Sequence, residues 1–255
     1  MKTNITSLQN PRLRELRKLK ERKYRERTGT FLIEGQRFLK EALRQQVEID
    51  CVIVQDEILL EGLDLKSECE ILIVPPDLMK DLAGTVTPQG ILAQTRIPAP
   101  SSDAFEKTSG LWLYLDEIRD PGNLGTIIRT AHAFGLDGLI LSKGCADPYQ
   151  EKVLRSTMGS IFQVPLMLNQ DTAWLNQRLT QGATLYLADF QDAVELPAVD
   201  PSGASIVVIG NEAHGVSDTI RALPHVTIRI PMPGGAESLN AAVAAALMMY
   251  DLKIR

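Results

Sequence analysis

Aromatic residues make up only 5% of this 255-residue chain, and cysteine and histidine occur three times each. With so few aromatic rings, Trp112 and Trp174 are better read as core residues than as platforms for stacked bases. Cys51, Cys69 and Cys145 are odd in number and lack paired spacing, which argues against a disulfide framework or a zinc site. His132, His214 and His225 are scattered and form no catalytic set, although His214 stands in a loop that could reach a ligand. No run of about 18 apolar residues occurs, so no membrane span is expected. The polar, basic N-terminus has no apolar core of a signal peptide, and a cytoplasmic location follows as an expectation. Internal repeats and low-complexity tracts are also missing. A conventional dinucleotide loop is not found either: such a loop reads G-x-G-x-x-G after an early strand, and the segment after Leu111–Leu115 reads DEIRDPGNLG.

What the chain does have is enough length for one or two domains, since a typical domain takes ~100–200 residues. The net charge is −5, which by itself does not advertise a nucleic-acid partner. Its distribution does: PRLRELRKLKERKYRER, residues 11–27, holds nine Lys or Arg against three Glu, a local balance of +6. Leu13, Leu16 and Leu19 recur at a spacing that suits a short helix. A solvated helix anchored by its leucines explains this stretch. A basic face that holds a phosphate backbone by counterion release explains it too, with Arg12, Arg14 and Lys18 as contacts.

Residues 29–97 read as a small α/β unit. Strands are expected at Phe31–Ile33, Cys51–Val54, Ile71–Val74 and Gly90–Gln94, and a helix at Gln36–Arg44. Residues 98–110 have the Pro/Ser composition of a linker and mark the expected domain boundary. In the remainder, residues 111–255, strand-like and helix-like segments alternate, which predicts a mostly parallel sheet with helices on both faces.

Two loops near the C-terminus draw attention. Ile206–Ile209 is an apolar strand-like run that ends directly at Gly210, followed by Asn211, Glu212 and Gly215. A residue without Cβ there lets another molecule approach the backbone or lets the chain turn at positive φ. The second run ends in IPMPGGAESLN, where Pro231 and Pro233 restrict the backbone and Ser238 stands at an expected helix N-cap. Further upstream, Asp120-Pro121-Gly122-Asn123 is turn chemistry before an apolar helical face of Ile127, Ile128, Ala131 and Phe134, with Arg129 nearby. Ligands of open α/β sheets sit outside the carboxyl ends of strands, so these loops are the expected site.

The segments DEIRDPGNLGTIIRTAHAFG, IVVIGNEAHGVSD and IRIPMPGGAESLNAAVAAALMMYD resemble, in order, the three signature motifs of the SpoU/TrmH branch of the SPOUT RNA methyltransferases. One departure is Ala213-His214, where relatives commonly carry a glycine and an acidic or polar residue. FLIEGQRFLKEAL resembles more weakly the start of the L30e-like substrate-binding domain that precedes some of these catalytic domains, with Glu34, Gly35 and Arg37 as RNA-contact candidates. The resemblance implies a deep trefoil knot, S-adenosylmethionine as methyl donor without a metal, and a homodimer whose site is completed by the partner.

It also implies roles. Arg129 would activate or orient a ribose 2′-hydroxyl; guanidinium does not deprotonate in proteins, so orientation is the sounder role. Asn123, Glu212, Ser238 and Asn240 would shape the catalytic site. Gly210, Asn211, Gly215, Ile230, Met232 and Leu239 would hold the donor. Large-subunit ribosomal RNA is the expected substrate; a transfer-RNA enzyme and a non-catalytic RNA-binding or ribosome-assembly protein are the rival readings.

Overall fold

The computed structural model describes residues 2–99, 102–189 and 192–255. The chain separates into two compact units: residues 1–99 together with Tyr149–Phe162, and residues 100–148 together with Gln163–Arg255.

The first unit is built on β1 (Lys2–Asn4), α1 (Pro11–Lys18), α2 (Arg22–Thr28), β2 (Thr30–Glu34), α3 (Gln36–Arg44), β3 (Ile49–Val54), β4 (Glu70–Ile73), α4 (Pro76–Ala83) and β5 (Ile91–Arg96). Its sheet runs β1-β4-β3-β5-β2. The first three strands are parallel, and β5 is antiparallel to both β3 and β2. Residues 2–28 pack within this unit. Lys2–Asn4 adds an edge strand, and Leu13, Leu16 and Leu19 enter one core with Leu72, Leu78 and Met79. The i, i+3, i+6 leucine spacing thus buries one face of α1 and turns its charges outward.

In the second unit, α5 (Ser102–Glu106) lies within the expected linker, of which residues 100 and 101 fall outside the described residues. Phe105 explains the helix: it is buried against Trp112 and Tyr114. Then come β6 (Gly110–Leu115), α6 (Pro121–Ala133) and β7 (Gly138–Ser142). The chain next leaves for the first unit, where α7 (Glu151–Thr157) lies against β2. Aromatic rings hold that segment: Phe31 meets Tyr149 at 4.8 Å between centroids, and Phe38 meets Phe162 at 5.5 Å. The excursion leaves no periodic signal in the sequence, because those two rings are separated by over a hundred residues from their partners.

Back in the second unit follow β8 (Leu166–Gln170), α8 (Thr172–Thr180), β9 (Thr184–Ala188), β10 (Val194–Glu195), β11 (Ala204–Ile209), α9 (Asp218–Arg221), β12 (Val226–Arg229) and α10 (Ala241–Lys253). The sheet order is β10-β12-β9-β11-β6-β7-β8, and every pairing among these seven strands is parallel. Its central strands are apolar without alternation, as a sheet covered on both faces requires: all six residues of Ala204–Ile209 are buried. Helices α6 and α10 pack together, with Phe134 edge-on to Tyr250. Among the described residues no helix is long and apolar enough to cross a membrane.

Candidate active site

The centre of the second sheet delivers the C-terminal ends of β6 and β11 side by side, Leu115 opposite Ile209. The chain after each strand turns at once. After β11, Gly210 is followed by a tight loop in which Asn211 and Gly215 exchange main-chain hydrogen bonds at 2.9 Å in both directions. A Cβ on Gly210 would lie 2.2 Å from the carbonyl carbon of Gly215, and Gly215 itself has φ +71°. Neither reason for a glycine weighed above accounts for Gly210, which does not stand at positive φ: the loop's own close return leaves no room for a Cβ.

Asn211 fixes this loop to its neighbours. Its Nδ2 donates to the Glu117 carbonyl at 2.8 Å, while Oδ1 accepts from Ala213 N at 2.9 Å and His214 N at 3.2 Å. The His214 ring also lies 3.1 Å from Oδ1. The departure at Ala213-His214 therefore keeps the loop closed through main-chain donors, which any residue but proline supplies. On the β6 side, Glu117 has φ +55°, an uncommon conformation for a residue with a side chain, and its N–H donates to Ser142 Oγ at 2.9 Å. Buried Asp116 accepts from Ser217 N at 2.7 Å. Asp116, Glu117 and Ser142 were missed from sequence because their contacts join three different strand ends.

Three amide and carboxylate side chains link the three motif loops. Asn123 Nδ2 donates to Glu212 Oε1 at 2.9 Å, and Asn240 Nδ2 donates to Asn123 Oδ1 at 2.9 Å. Glu212 also accepts from Asp120 N at 3.3 Å and Arg119 N at 3.4 Å. Burial is the largest single influence on Glu212 and pushes its carboxyl group up. The Asn123 amide and the main-chain donors together outweigh it and hold the group below the usual carboxylate range. Asp120 caps α6 through Asn123 N at 2.8 Å. Asn240 caps α10, accepting from Ala242 N at 2.9 Å and Val243 N at 3.3 Å. The expected cap at Ser238 is thus corrected: helix geometry starts at Ala241, two residues too late for the Ser238 hydroxyl to reach its free N–H groups.

A cavity of about 490 Å³ opens between these loops. Gly210, Asn211, Glu212 and Gly215 line one side, and Ile230, Met232, Ser238, Leu239 and Asn240 the other. Ile209, Ile228 and Met248 give it an apolar floor. Asp189, at the end of β9 and ion-paired with Arg221, also lines it and was not singled out from sequence. The volume lies within the ~300–1,000 Å³ of cofactor pockets, and the mixture of apolar floor with loop amides and carbonyls suits a ligand that is part base, part amino acid. No group of three or more metal-ligating side chains occurs among the described residues.

Arg129 is exposed on α6, its side chain makes no hydrogen bond or ion pair among the described residues, and it does not line this cavity. Of the candidates in the first unit, Arg12 is held internally by Glu70 at 2.7 Å and Gln94 at 2.9 Å, and Lys18 pairs with Glu15 at 2.7 Å. Glu34 accepts from Gln89 N at 2.9 Å, and Gly35, at φ +101°, is the turn into α3. Arg14 and Arg37 point outward with no partner among the described residues.

Residues 110–250 match the SpoU rRNA Methylase family, and residues 10–93 match the MRM3-like substrate binding domain. The 23S rRNA (guanosine(2553)-2′-O)-methyltransferase RlmP of Bacillus subtilis is 33% identical over 249 residues, covering 98% of each protein. Among solved structures, an AdoMet-bound rRNA methyltransferase from Sinorhizobium meliloti aligns with a TM-score of 0.88 at 28% identity, over 98% of this chain and 97% of that one. The SpoU methyltransferase AviRb from Streptomyces viridochromogenes, in complex with AdoMet, aligns at 0.86 with 30% identity over 95% and 97%.

Proposed function

The chain belongs to the SpoU rRNA methylase family, and on that premise we propose that it transfers a methyl group from S-adenosylmethionine to a ribose 2′-hydroxyl of large-subunit ribosomal RNA. The observation that carries this reading is the relay from Glu212 through Asn123 to Asn240, which ties the three motif loops around one cavity. Gly210, Asn211, Gly215, Ile230, Met232 and Leu239 would hold the donor, which supplies an electrophilic methyl group on a sulfonium. Glu212, as a charged acceptor, fixes the Asn123 amide with Nδ2 toward itself, and Asn123 Oδ1 in turn fixes Asn240. The site is therefore organised before substrate arrives, which is what in-line attack needs. Arg129 orients the 2′-hydroxyl or its neighbouring phosphate and stabilises charge that develops there.

The same proposal includes a homodimer acting in the cytoplasm and the knot that the family resemblance implies. Arg129 stands outside the wall of its own chain's cavity, which suits a site completed by a second copy. Val243, Leu247, Tyr250 and Ile254 recur along one face of α10 with 48%, 42%, 53% and 54% exposure. A stripe of that kind on a soluble protein marks an interaction surface.

The test is transfer of labelled methyl from S-adenosylmethionine to ribosomal RNA lacking the modification, with transfer RNA alongside and the modified ribose mapped. Label at one ribose of large-subunit RNA is the expected result. Donor and RNA binding without transfer to any RNA would overturn it and leave a binding protein.

A further inference from the structure

The first unit contains a cavity of about 160 Å³, well below the ~300–1,000 Å³ of pockets that take a whole cofactor. It has the scale of one planar ring system. Its walls come from stretches far apart in sequence: Leu32 and Leu92 from the sheet, Phe38 from α3, Leu82 from α4, and Tyr149 and Leu154 from the returning segment. Two of its walls are therefore aromatic in a chain that has few aromatic residues.

Five charged groups line this cavity: Lys20, Arg25 and Arg155 against Glu34 and Glu151. Glu34 lines it and receives Gln89 N at 2.9 Å and Thr85 Oγ1 at 3.4 Å, both on Oε1. Its Oε2 has no hydrogen-bond partner among the described residues, so an acceptor stands unused beside apolar walls. Lys20 donates to the Asp81 carbonyl at 2.5 Å, Arg155 pairs with Glu151 at 2.5 Å and Arg25 is held by the Leu19 and Lys20 carbonyls. The cavity's rim thus carries a net charge of +1, in which Lys20 has no carboxylate partner among the described residues. Lys20 belongs to the basic run, whose Arg14 and Lys23 are exposed and without partners among the described residues.

An apolar slot with aromatic sides, an unused acceptor and flanking cations matches how proteins take a base out of single-stranded RNA. The base stacks on a ring, its edge is hydrogen-bonded, and cations track the backbone. We propose that this cavity receives one unpaired nucleobase of the RNA substrate, packed against Phe38 over Tyr149, with an edge N–H donated to Glu34 Oε2 and the adjoining phosphates held by Lys20 and Arg155. This rests on the RNA reading above and adds a contact by which the first unit grips the substrate. It also gives the FLIEG turn a purpose: Gly35, at φ +101°, takes a conformation that favours glycine, and the turn sets Glu34 Oε1 against Gln89 N at 2.9 Å.

The experiment measures binding of a five-nucleotide single-stranded RNA of mixed sequence to the full chain by fluorescence anisotropy, for the unmodified protein, Phe38→Ala and Glu34→Gln. Removal of a stacking ring is expected to weaken binding about tenfold, and Glu34→Gln several-fold, with S-adenosylmethionine affinity unchanged in both and thermal unfolding unchanged in Glu34→Gln. Glu34→Gln keeps Oε1 for Gln89 and so decides the matter if Phe38→Ala does not fold. Unchanged RNA affinity in a folded Glu34→Gln or Phe38→Ala protein overturns the proposal. Methyl transfer to ribosomal RNA, run in parallel, separates the two readings. Transfer with affinity indifferent to both residues removes the base slot alone. Affinity that depends on them with no transfer to any RNA removes the catalytic reading alone.

Discussion

A methyl group on the Cα of Gly210 would lie 2.2 Å from the carbonyl carbon of Gly215 and 2.3 Å from Val216 N, both main-chain atoms that cannot swing aside. Gly210→Ala is expected to cost about 1–3 kcal/mol, as overpacking does, and to abolish S-adenosylmethionine binding; calorimetry on the folded variant checks both. Arg129→Ala has the opposite profile. It removes no described contact, so stability and donor affinity should hold while transfer falls about a hundredfold or more, as loss of a charge-stabilising group does; parallel donor titration and methyl transfer separate the two. Glu212 sets a pH limit. Its folded-state carboxyl is held below the usual carboxylate range, so its ordering of Asn123 is complete above the unfolded value and is lost only as pH falls through the lower folded one. Transfer should therefore persist through mildly acidic pH and drop below the ordinary carboxylate range. Glu212→Gln should flatten that acid limb, as a pH series of initial rates would reveal.

At the scale of elements, the start of α10 combines two tasks in one side chain. Asn240 Oδ1 caps the helix while its Nδ2 reaches Asn123. Asn240→Asp retains the cap and removes the donor, so unfolding temperature should stay near the parent's while transfer falls. Asn240→Ala loses both, with about 1 kcal/mol of stability expected to go with the cap; thermal melts and rates on the pair distinguish the roles. The elements also show why some of the fold was legible. Gln36–Arg44 has the bounds that periodicity predicts, because it buries one face. Lys2–Asn4 and Val194–Glu195 are too short and too exposed for any pattern, and exist only because a neighbouring edge pairs with them. The candidate site was legible where a motif carries unusual residues, at Asn123, Glu212 and Asn240. It was not at Asp116, Ser142 or Asp189, whose partners come from elsewhere in the chain, nor at Ser238, where a plausible cap residue stood two positions early.

For the whole molecule, the exposed stripe on α10 gives the proposed dimer a direct test. Leu247→Asp places a charge in the middle of Val243, Leu247, Tyr250 and Ile254 without touching the buried side, formed by Ala245, Met248 and Leu252. The variant should sediment as a monomer and keep its fold; if Arg129 acts on a partner's site, methyl transfer should be lost with the dimer. The passage of Tyr149–Phe162 into the first unit has a different consequence, one in time. A protein made from its N-terminus usually completes its first unit first, yet here Phe31 and Phe38 wait for rings that lie beyond β6, α6 and β7. At ~5–20 residues per second, the roughly 60 residues from Ala99 to Phe162 take about 3–12 s to synthesise. For that interval the nascent N-terminal unit lacks one wall of its core, so the two units must mature together rather than in the order in which they are encoded.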